Sequence, residues 1–422
     1  MRVLVIGNGA REHTLVWKIS QSPQVEKIFA APGNAGTASI AQNLRVSSTD
    51  IPALIKAAED NKIDLVVVGP EAPLTKGIVD ALQKIGIPAF GPGKGAAQIE
   101  GSKVFAKELM QKYGIPCAQS ATFDSFQNAC TYVKRQPFPL VVKADGLAAG
   151  KGVIIAGSQA QALEALSDIM EKRAFGDAGN RVLIEECLTG REASLLAFTD
   201  GEIVIDMIPA CDYKRALDGD QGLNTGGMGS YSPSEFFTAE LRDNIMSNVI
   251  KPVVKAMAKE GNPYKGVLYA GLMMTSDGPK VLEFNARFGD PETQVILPLL
   301  KSDLVDIMMA VINGTLHKTA IKWSKETCVG VVMASAGYPA KYKTGFPISG
   351  LGDIDKDILV FHAGTRQNEA GQILTDGGRV LTVAATGKTY AKAREKVYRN
   401  LPKISFEGCQ YRKDVGIIKS PL

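Results

Sequence analysis

The first hundred residues alternate short apolar runs with helical patterns, and this alternation restricts the fold more than any other feature of the chain. Val3–Ile6, Lys27–Ala31 and Leu65–Val68 read as strands; Arg11–Ser20, a segment capped by Asp50 and running to Ala58, and Thr75–Ile85 read as helices. A chain that returns to strand after every helix builds a parallel, doubly wound sheet, because parallel neighbours need a crossover and the crossover helix covers the sheet. Ligands on such sheets gather at the carboxyl ends of the strands. Three glycine- or proline-bearing loops fall there: Gly7–His13, Pro32–Gly36 and Gly69–Glu71. The first invites a dinucleotide reading. However, Glu12 stands where the third glycine of G-x-G-x-x-G belongs, and a tight strand-to-helix turn needs glycine in any case. NAD is not expected. Pro32–Gly36 reads either as an anion nest, with backbone N–H groups free to face a phosphate, or as an ordinary turn.

The rhythm breaks at Gly91-Pro-Gly93. A helix over Ser102–Tyr113 follows, with Gly114 as its stop and Pro116 beyond. A compact α/β segment then runs from about Thr122 to Cys187. Next come strands at Ala193–Phe198 and Ile203–Ile208, a polar glycine-rich loop from Cys211 to Ser230, and a helix from Thr238 to about Glu260. A strand over Val281–Asn285 and a helix over Asp303–Ile312 close this part. From about Thr327 the pattern is strand-rich with one late helix, Tyr390–Leu401, which marks a smaller third domain.

A chain of 422 residues is long enough for two to four domains with large cores. Its net charge of +4 is small and dispersed, which argues against nucleic acid as a partner. The six cysteines include no C-x-x-C pair and there are three histidines, so a zinc site is not expected and the scattered thiols suit a reducing compartment. The apolar start stops at Gly7, too short for a signal peptide, and no run approaches a membrane span. A soluble, cytoplasmic protein is expected.

Three stretches carry chemistry. In the Val281–Asn285 strand, Glu283 and Asn285 stand two apart and share a face, placing two hard oxygen ligands side by side. That pair suits Mg²⁺, which is held by one or two protein groups plus substrate phosphates; two polar groups at a solvated strand end is the plainer alternative. Arg287, Asp290 and Glu292 follow closely. The second stretch, Pro139–Val153, is a buried strand ending in Lys143. A loop of small residues follows, Gly146, Ala148, Ala149, Gly150 and Gly152, carrying Lys151, before the chain returns to Val153–Ile155. Small residues let backbone amides approach phosphate oxygens, and lysine adds mobile charge. The spacing is not that of a Walker A loop, so a hairpin lid is the expectation. The third, Val182–Leu188 with Glu192 beyond, is a strand running into a linker. Exposed backbone there suits an adenine edge and a carboxylate suits ribose hydroxyls, though Glu185 and Glu186 also read as solvated strand-end charges.

In order and type, these residues resemble the ATP-grasp superfamily: Lys103 on a helix, Lys143 at a strand end, a small-residue lid, a Glu185-Glu186-x-Leu188 linker and Glu283-x-Asn285. Within it the chain is most similar to the phosphoribosylamine–glycine ligase family. The strings Gly7-Asn-Gly9 with Arg11-Glu-His13, Ala31–Gly36, Val68–Pro73, Lys143–Gly152, Asn224–Gly229 and Arg287–Glu292 carry the likeness, with Phe361–Thr365 and Arg412–Gly416 near the end. Three positions depart from the family pattern, and a fourth from that of many ATP-grasp enzymes. Ala10 replaces a small glycine, Tyr213 a histidine and Leu223 a proline, while Gly271 lies on the strand where many ATP-grasp enzymes carry a further metal carboxylate.

The resemblance implies an α/β protein in three parts: an N-terminal doubly wound substrate-binding domain (1–101), an ATP-grasp domain (102–314) with a lid subdomain at about 122–187, and a smaller strand-rich C-terminal domain (325–422). It implies ATP-dependent ligation of glycine to 5-phosphoribosylamine through a glycyl phosphate, or else another ATP-grasp ligase or carboxylase acting on a purine-pathway intermediate. ATP would meet Lys103, Lys143, the lid residues Gly146, Gly150, Lys151 and Gly152, Glu185, backbone at Glu186 and Leu188, and Glu192. Mg²⁺ or Mn²⁺ would bind Glu283 and Asn285. Arg287, Lys214 and Asp212 would act in catalysis, and Asn224, Thr225, Gly226, Gly227 and Asp290 would hold substrate. Gly9, Asn34, Ala35, Gly36 and Glu71 would receive phosphoribosylamine. Small molecules are the implied partners, with neither nucleic acid nor membrane, in a monomer or small homo-oligomer.

Overall fold

Strand β1 (Arg2–Gly7) is buried along nearly its whole length because parallel neighbours flank it and helices cover both faces. With β2 (Lys27–Pro32), β3 (Gln42–Asn43), β4 (Leu65–Val68) and β5 (Ala89–Phe90) it forms a parallel sheet of order β3-β2-β1-β4-β5. The winding reverses between β1 and β4, so the loops after them, Gly7–His13 and Gly69–Glu71, border the switch-point crevice. A computed structural model describes residues 1–148 and 152–418. The helices Ala10–Ile19 and Ile51–Asp60 form as the pattern predicts, the latter capped by Asp50, whose Oδ1 accepts the Ala53 N–H at 3.1 Å. The segment read as one helix over Thr75–Ile85 is two, Glu71–Thr75 and Ile78–Lys84, divided at Gly77 (φ +87°). A single left-handed residue leaves no mark on an apolar periodicity.

The helix Lys103–Tyr113 is capped by Ser102 and stopped by left-handed Gly114. It leads to a small antiparallel sheet, β6 (Ser120–Phe123), β7 (Leu140–Ala144), β8 (Val153–Ala156) and β9 (Val182–Glu186), in the order β6-β9-β7-β8. Lys143 pairs with Val153, so β7 and β8 are antiparallel neighbours. Gly150 and Lys151, both expected to meet ATP, lie outside the described residues.

After β10 (Arg191–Thr199) and β11 (Val204–Asp206), the region read as a loop holds short strands: β12 (Cys211–Asp212), the hairpin β13 (Arg215–Leu217) and β14 (Gln221–Asn224), and β15 (Gly229–Ser232). β16 (Gly266–Thr275) and β17 (Gly278–Asn285) complete a second antiparallel sheet, β11-β10-β16-β17. The C-terminal strands are β18 (Thr327–Ala334), β19 (Leu359–His362), β20 (Thr365–Gln367), β21 (Ile373–Thr375) and β22 (Arg379–Gly387). Their main sheet, β12-β15-β18-β22-β19, recruits β12 and β15 from the middle of the chain. Strands of two to four residues rich in glycine and polar groups show no alternation; β15 is held by pairing onto the fully buried β18, and β12 by pairing onto β15. Among the described residues no helix is long and apolar enough to cross a membrane.

Candidate active site

β17 carries a bulge. Glu283 pairs with Gly271 while Val281 pairs with Leu272, so Leu282 is the extra residue. Its carbonyl accepts a hydrogen bond from Lys143 Nζ at 3.2 Å. Beyond the bulge, Glu283 and Asn285 keep the two-residue spacing and enter one cavity of about 640 Å³. Burial works against the Glu283 charge, but Lys214, Lys143, Lys103 and Arg287 together hold its carboxyl below the ordinary value. An ionised carboxylate and an amide oxygen, set among cations, form a fitting hard-oxygen pair for a divalent metal. Among the described residues no group of three His, Cys, Asp or Glu side chains is placed to hold a metal ion.

Lys143 Nζ lies 2.5 Å from Glu185 Oε2, and Lys107 Nζ lies 2.7 Å from Oε1. Glu185, expected beside ATP, is a 3%-exposed carboxylate clamped between two lysines, so it fixes Lys143 in place. Lys103 Nζ donates to the Gly146 carbonyl at 2.7 Å, and Ser102 Oγ and the Val104 N–H both donate to Asp145 Oδ1, tying the helix to the hairpin loop. Burial lowers the Lys103 pKa, with Glu283 opposing.

Arg287 sits in a carboxylate cage. Its Nε is 3.2 Å from Glu71 Oε2, its Nη2 is 3.0 Å from Glu100 Oε1, and Nη2 also donates to Asn285 Oδ1 at 3.0 Å. Glu71 ends the β4 loop of the N-terminal sheet, so the first domain reaches the arginine that follows β17. Burial pushes Glu100 up to about 7 against the pull of Arg287. Burial raises Glu71 as well, but Arg287 and Arg11 outweigh it and lower its pKa.

The opposite wall comes from the C-terminal domain. Arg379 Nη1, on β22, reaches Gly226 O at 2.6 Å and Asp290 Oδ1 at 3.2 Å, and the Gly226 N–H donates to Tyr338 Oη at 2.9 Å. Asp290 also accepts from Gln294 Nε2 at 2.9 Å. Lys214 Nζ pairs with Glu192 Oε2 at 2.5 Å, and Thr225 Oγ1 donates to the Lys214 carbonyl at 2.8 Å.

The cavity thus gathers Lys103, Lys143, Gly146, Gly152, Glu185, Asp212, Lys214, Asn224, Thr225, Gly226, Glu71, Glu283, Asn285, Arg287 and Asp290. It does not bring Gly9, Asn34, Ala35, Gly36, Glu186, Leu188, Glu192 or Gly227 onto its lining. The N–H groups of the loop read as an anion nest or a turn have partners within the protein. The N–H groups of Gly33, Asn34, Ala35, Gly36 and Thr37 all donate within the protein, to Gly7 O, Thr37 Oγ1, Thr365 O and, for the last two, Asn34 Oδ1. Asn34 Nδ2 donates to Asn8 O and His362 O, so the loop is a joint between domains with its donors spent. The Gly9 N–H is likewise taken by Glu12 Oε2 at 2.6 Å. Glu12 packs closely on the β4 loop: a Cβ at Gly69 would stand 2.2 Å from its Oε1. At Glu186 the N–H is bonded to Gln119 O.

Tyr213 points away from the cavity. Its Oη accepts the Gly416 N–H at 3.0 Å and Arg412 lies over its ring at 4.7 Å. Leu223 is exposed on the hairpin, where no proline is required. Phe361 packs against His13 and Trp17, away from the cavity. Arg11, Glu100, Lys107, Tyr269, Tyr338 and Arg379 line the cavity without having been singled out. Glu100 stood three residues before Lys103 as a readable signal; Arg379 had none.

Family models match the whole architecture: phosphoribosylglycinamide synthetase N domain over residues 1–100, its ATP-grasp (A) domain over 101–293 and its C domain over 328–417. The chain belongs to the phosphoribosylglycinamide synthetase family. A phosphoribosylamine–glycine ligase of Caldanaerobacter subterraneus subsp. tengcongensis is 51% identical over 416 residues, 99% of each chain. One from Escherichia coli O6:H1 is 50% identical over 420 residues, covering 99% of this chain and 98% of the other. The crystal structure of phosphoribosylamine–glycine ligase from Thermotoga maritima superposes with a TM-score of 0.87 at 34% identity, covering 98% of this chain and 100% of that one. The biotin carboxylase domain of Hydrogenobacter thermophilus 2-oxoglutarate carboxylase, at 15% identity and a TM-score of 0.77, covers 97% of this chain and 91% of its own and shares the fold alone. In this family member the ATP-grasp elements and the C-terminal wall enclose a single cavity.

Proposed function

We propose that this chain ligates glycine to the amine of 5-phosphoribosylamine, splitting ATP to ADP and phosphate and giving glycinamide ribonucleotide for de novo purine synthesis. The observation that carries the reading is the meeting of Lys143, Glu283, Arg287 and Glu71 in one cavity of a chain half identical to such ligases along its length. A carboxylate resists attack by amines because its leaving group is oxide. Transfer of the ATP γ-phosphoryl group to the glycine carboxylate makes glycyl phosphate, from which phosphate departs readily. The protein's tasks are positioning, charge neutralisation and exclusion of water.

Lys103 and Lys143 neutralise the α- and β-phosphates, with the 146–152 loop covering them and the backbone at Glu186 and Leu188 meeting adenine. Glu192 reaches the ribose by exchanging its present partner, Lys214. Glu283 and Asn285 would hold Mg²⁺ or Mn²⁺, which would supply positive charge for phosphoryl transfer. Arg287, pre-oriented by Glu71 and Glu100, stabilises the charge developing between γ-phosphate and glycine. Asp212, Lys214, Asn224–Gly226 and Asp290 line the side taken by the glycine and amine substrates, and Arg11 with Glu71 the side taken by phosphoribosyl. Work in the cytoplasm fits this reading. ADP release requiring both glycine and phosphoribosylamine tests it; ADP release indifferent to glycine overturns it.

A further inference from the structure

One cavity carboxylate remains without a task. Glu71, Glu100, Glu185 and Asp290 are each tied to an arginine or lysine, whereas Glu292 has no ion-pair partner among the described residues. It is 3% exposed yet lines the cavity beside Arg287 and Asp290. Tyr269 Oη donates to its Oε1 at 2.9 Å, and Ser194 Oγ lies 2.6 Å from Tyr269 Oη. This hydrogen-bond chain runs from β17's loop back through β16 and β10 and orients the carboxylate, leaving Oε2 without a side-chain donor among the described residues. The backbone is shaped around it: a Cβ at Gly289 would stand 2.4 Å from Oε2. Ligation needs such a group, because an amine that forms an amide must give up a proton.

We infer that Glu292 is the proton acceptor for the attacking amine in the ligation proposed above, on which this assignment rests. The amine lone pair forms the C–N bond to the glycyl carbonyl carbon. The C–O bond to phosphate breaks, its electron pair leaving with inorganic phosphate, and the amine proton passes to Glu292 Oε2. The groups facing Glu292 agree with the role. Burial first, then the Asp212 carboxylate, raises its pKa and so its basicity, with Tyr269 and Lys214 opposing. Arg287 and Arg379 add positive charge nearby without pairing with it.

Glu292→Gln keeps the side chain's shape and removes the base. With ATP and glycine, hydroxylamine traps glycyl phosphate as a hydroxamate and, being weakly basic, leans little on a proton acceptor. The variant should keep hydroxamate formation within about twofold while phosphoribosylamine ligation falls on the order of 100-fold. Glu292→Asp should recover part of the ligation rate and its rise with pH. Equal loss of both reactions in Glu292→Gln, undiminished ligation, or a Glu292→Asp no better than Glu292→Gln would each overturn the assignment. A wild-type chain that fails to make glycinamide ribonucleotide at all would instead overturn the proposed function.

Discussion

Glu185 shows how far one buried residue governs the site. Two lysines share its carboxylate, and only one of them, Lys143, also reaches β17. Removing one partner of a buried ion pair leaves uncompensated charge and costs roughly 3–5 kcal/mol. Glu185→Ala should therefore lower stability by about 3 kcal/mol in a denaturant titration and raise the KM for ATP more than it lowers kcat. Glu283→Ala should leave stability nearly unchanged and reduce ATP-dependent turnover on the order of 100-fold, the loss expected when a transition-state charge contact is removed. A Glu283→Ala chain with normal turnover would remove the metal assignment. Glu283, Asn285 and Lys143 were legible because strand periodicity and strand-end position are local properties of sequence. The role of Glu185 was not, since Lys107 is 78 positions before it and no spacing rule links them.

Among the elements, the two loops of the substrate wall depend on one glycine. Gly227 has φ +106°, and a Cβ there would stand 2.3 Å from Pro291 Cδ. Gly227→Ala should push the 224–229 and 287–292 loops apart, raising the KM for glycine and phosphoribosylamine about tenfold while the KM for ATP holds, since one misplaced contact of about 1.4 kcal/mol is tenfold. An unchanged glycine KM would show that the loops need not touch. Within the 211–230 region, expected as a loop, β15 forms because β18 offers a buried edge from a distant part of the chain, and β12 pairs in turn onto β15, while β13 and β14 pair with each other as a local hairpin. The departure at Tyr213 becomes intelligible at this scale: the phenol belongs to the C-terminal layer, where it holds Gly416, and not to the cavity.

Across the whole molecule, the N-terminal sheet and the C-terminal domain close on each other at a pair of buried histidines. The His362 N–H donates to His13 Nδ1 at 2.8 Å, and the rings lie 5.5 Å apart. Burial, with His362 adding to it, lowers the His13 pKa to about 3, and burial lowers His362 to about 4. Both folded values lie below the unfolded 6.5, so both rings contribute stability above pH 6.5 that is lost as pH falls toward 4 and 3. By pH 5.5 the loss should be about 1 kcal/mol per histidine. Compared with wild type in melting experiments from pH 7 to 5.5, His362→Gln should lose about half as much stability. That comparison cancels the opposite contribution of Glu100, whose raised pKa favours the folded state at acid pH. The doubly wound sheet was readable because its β-α-β rhythm is written in consecutive residues. The closure was not, because His13 and His362 are 349 positions apart and no local pattern links them.

In the ligation proposed above, this cavity activates the glycine carboxylate by phosphorylation. Glycine labelled with oxygen-18 in its carboxylate, turned over with ATP and phosphoribosylamine, tests it most directly. Each phosphate released should carry one labelled oxygen taken from glycine; phosphate free of label would rule this activation out.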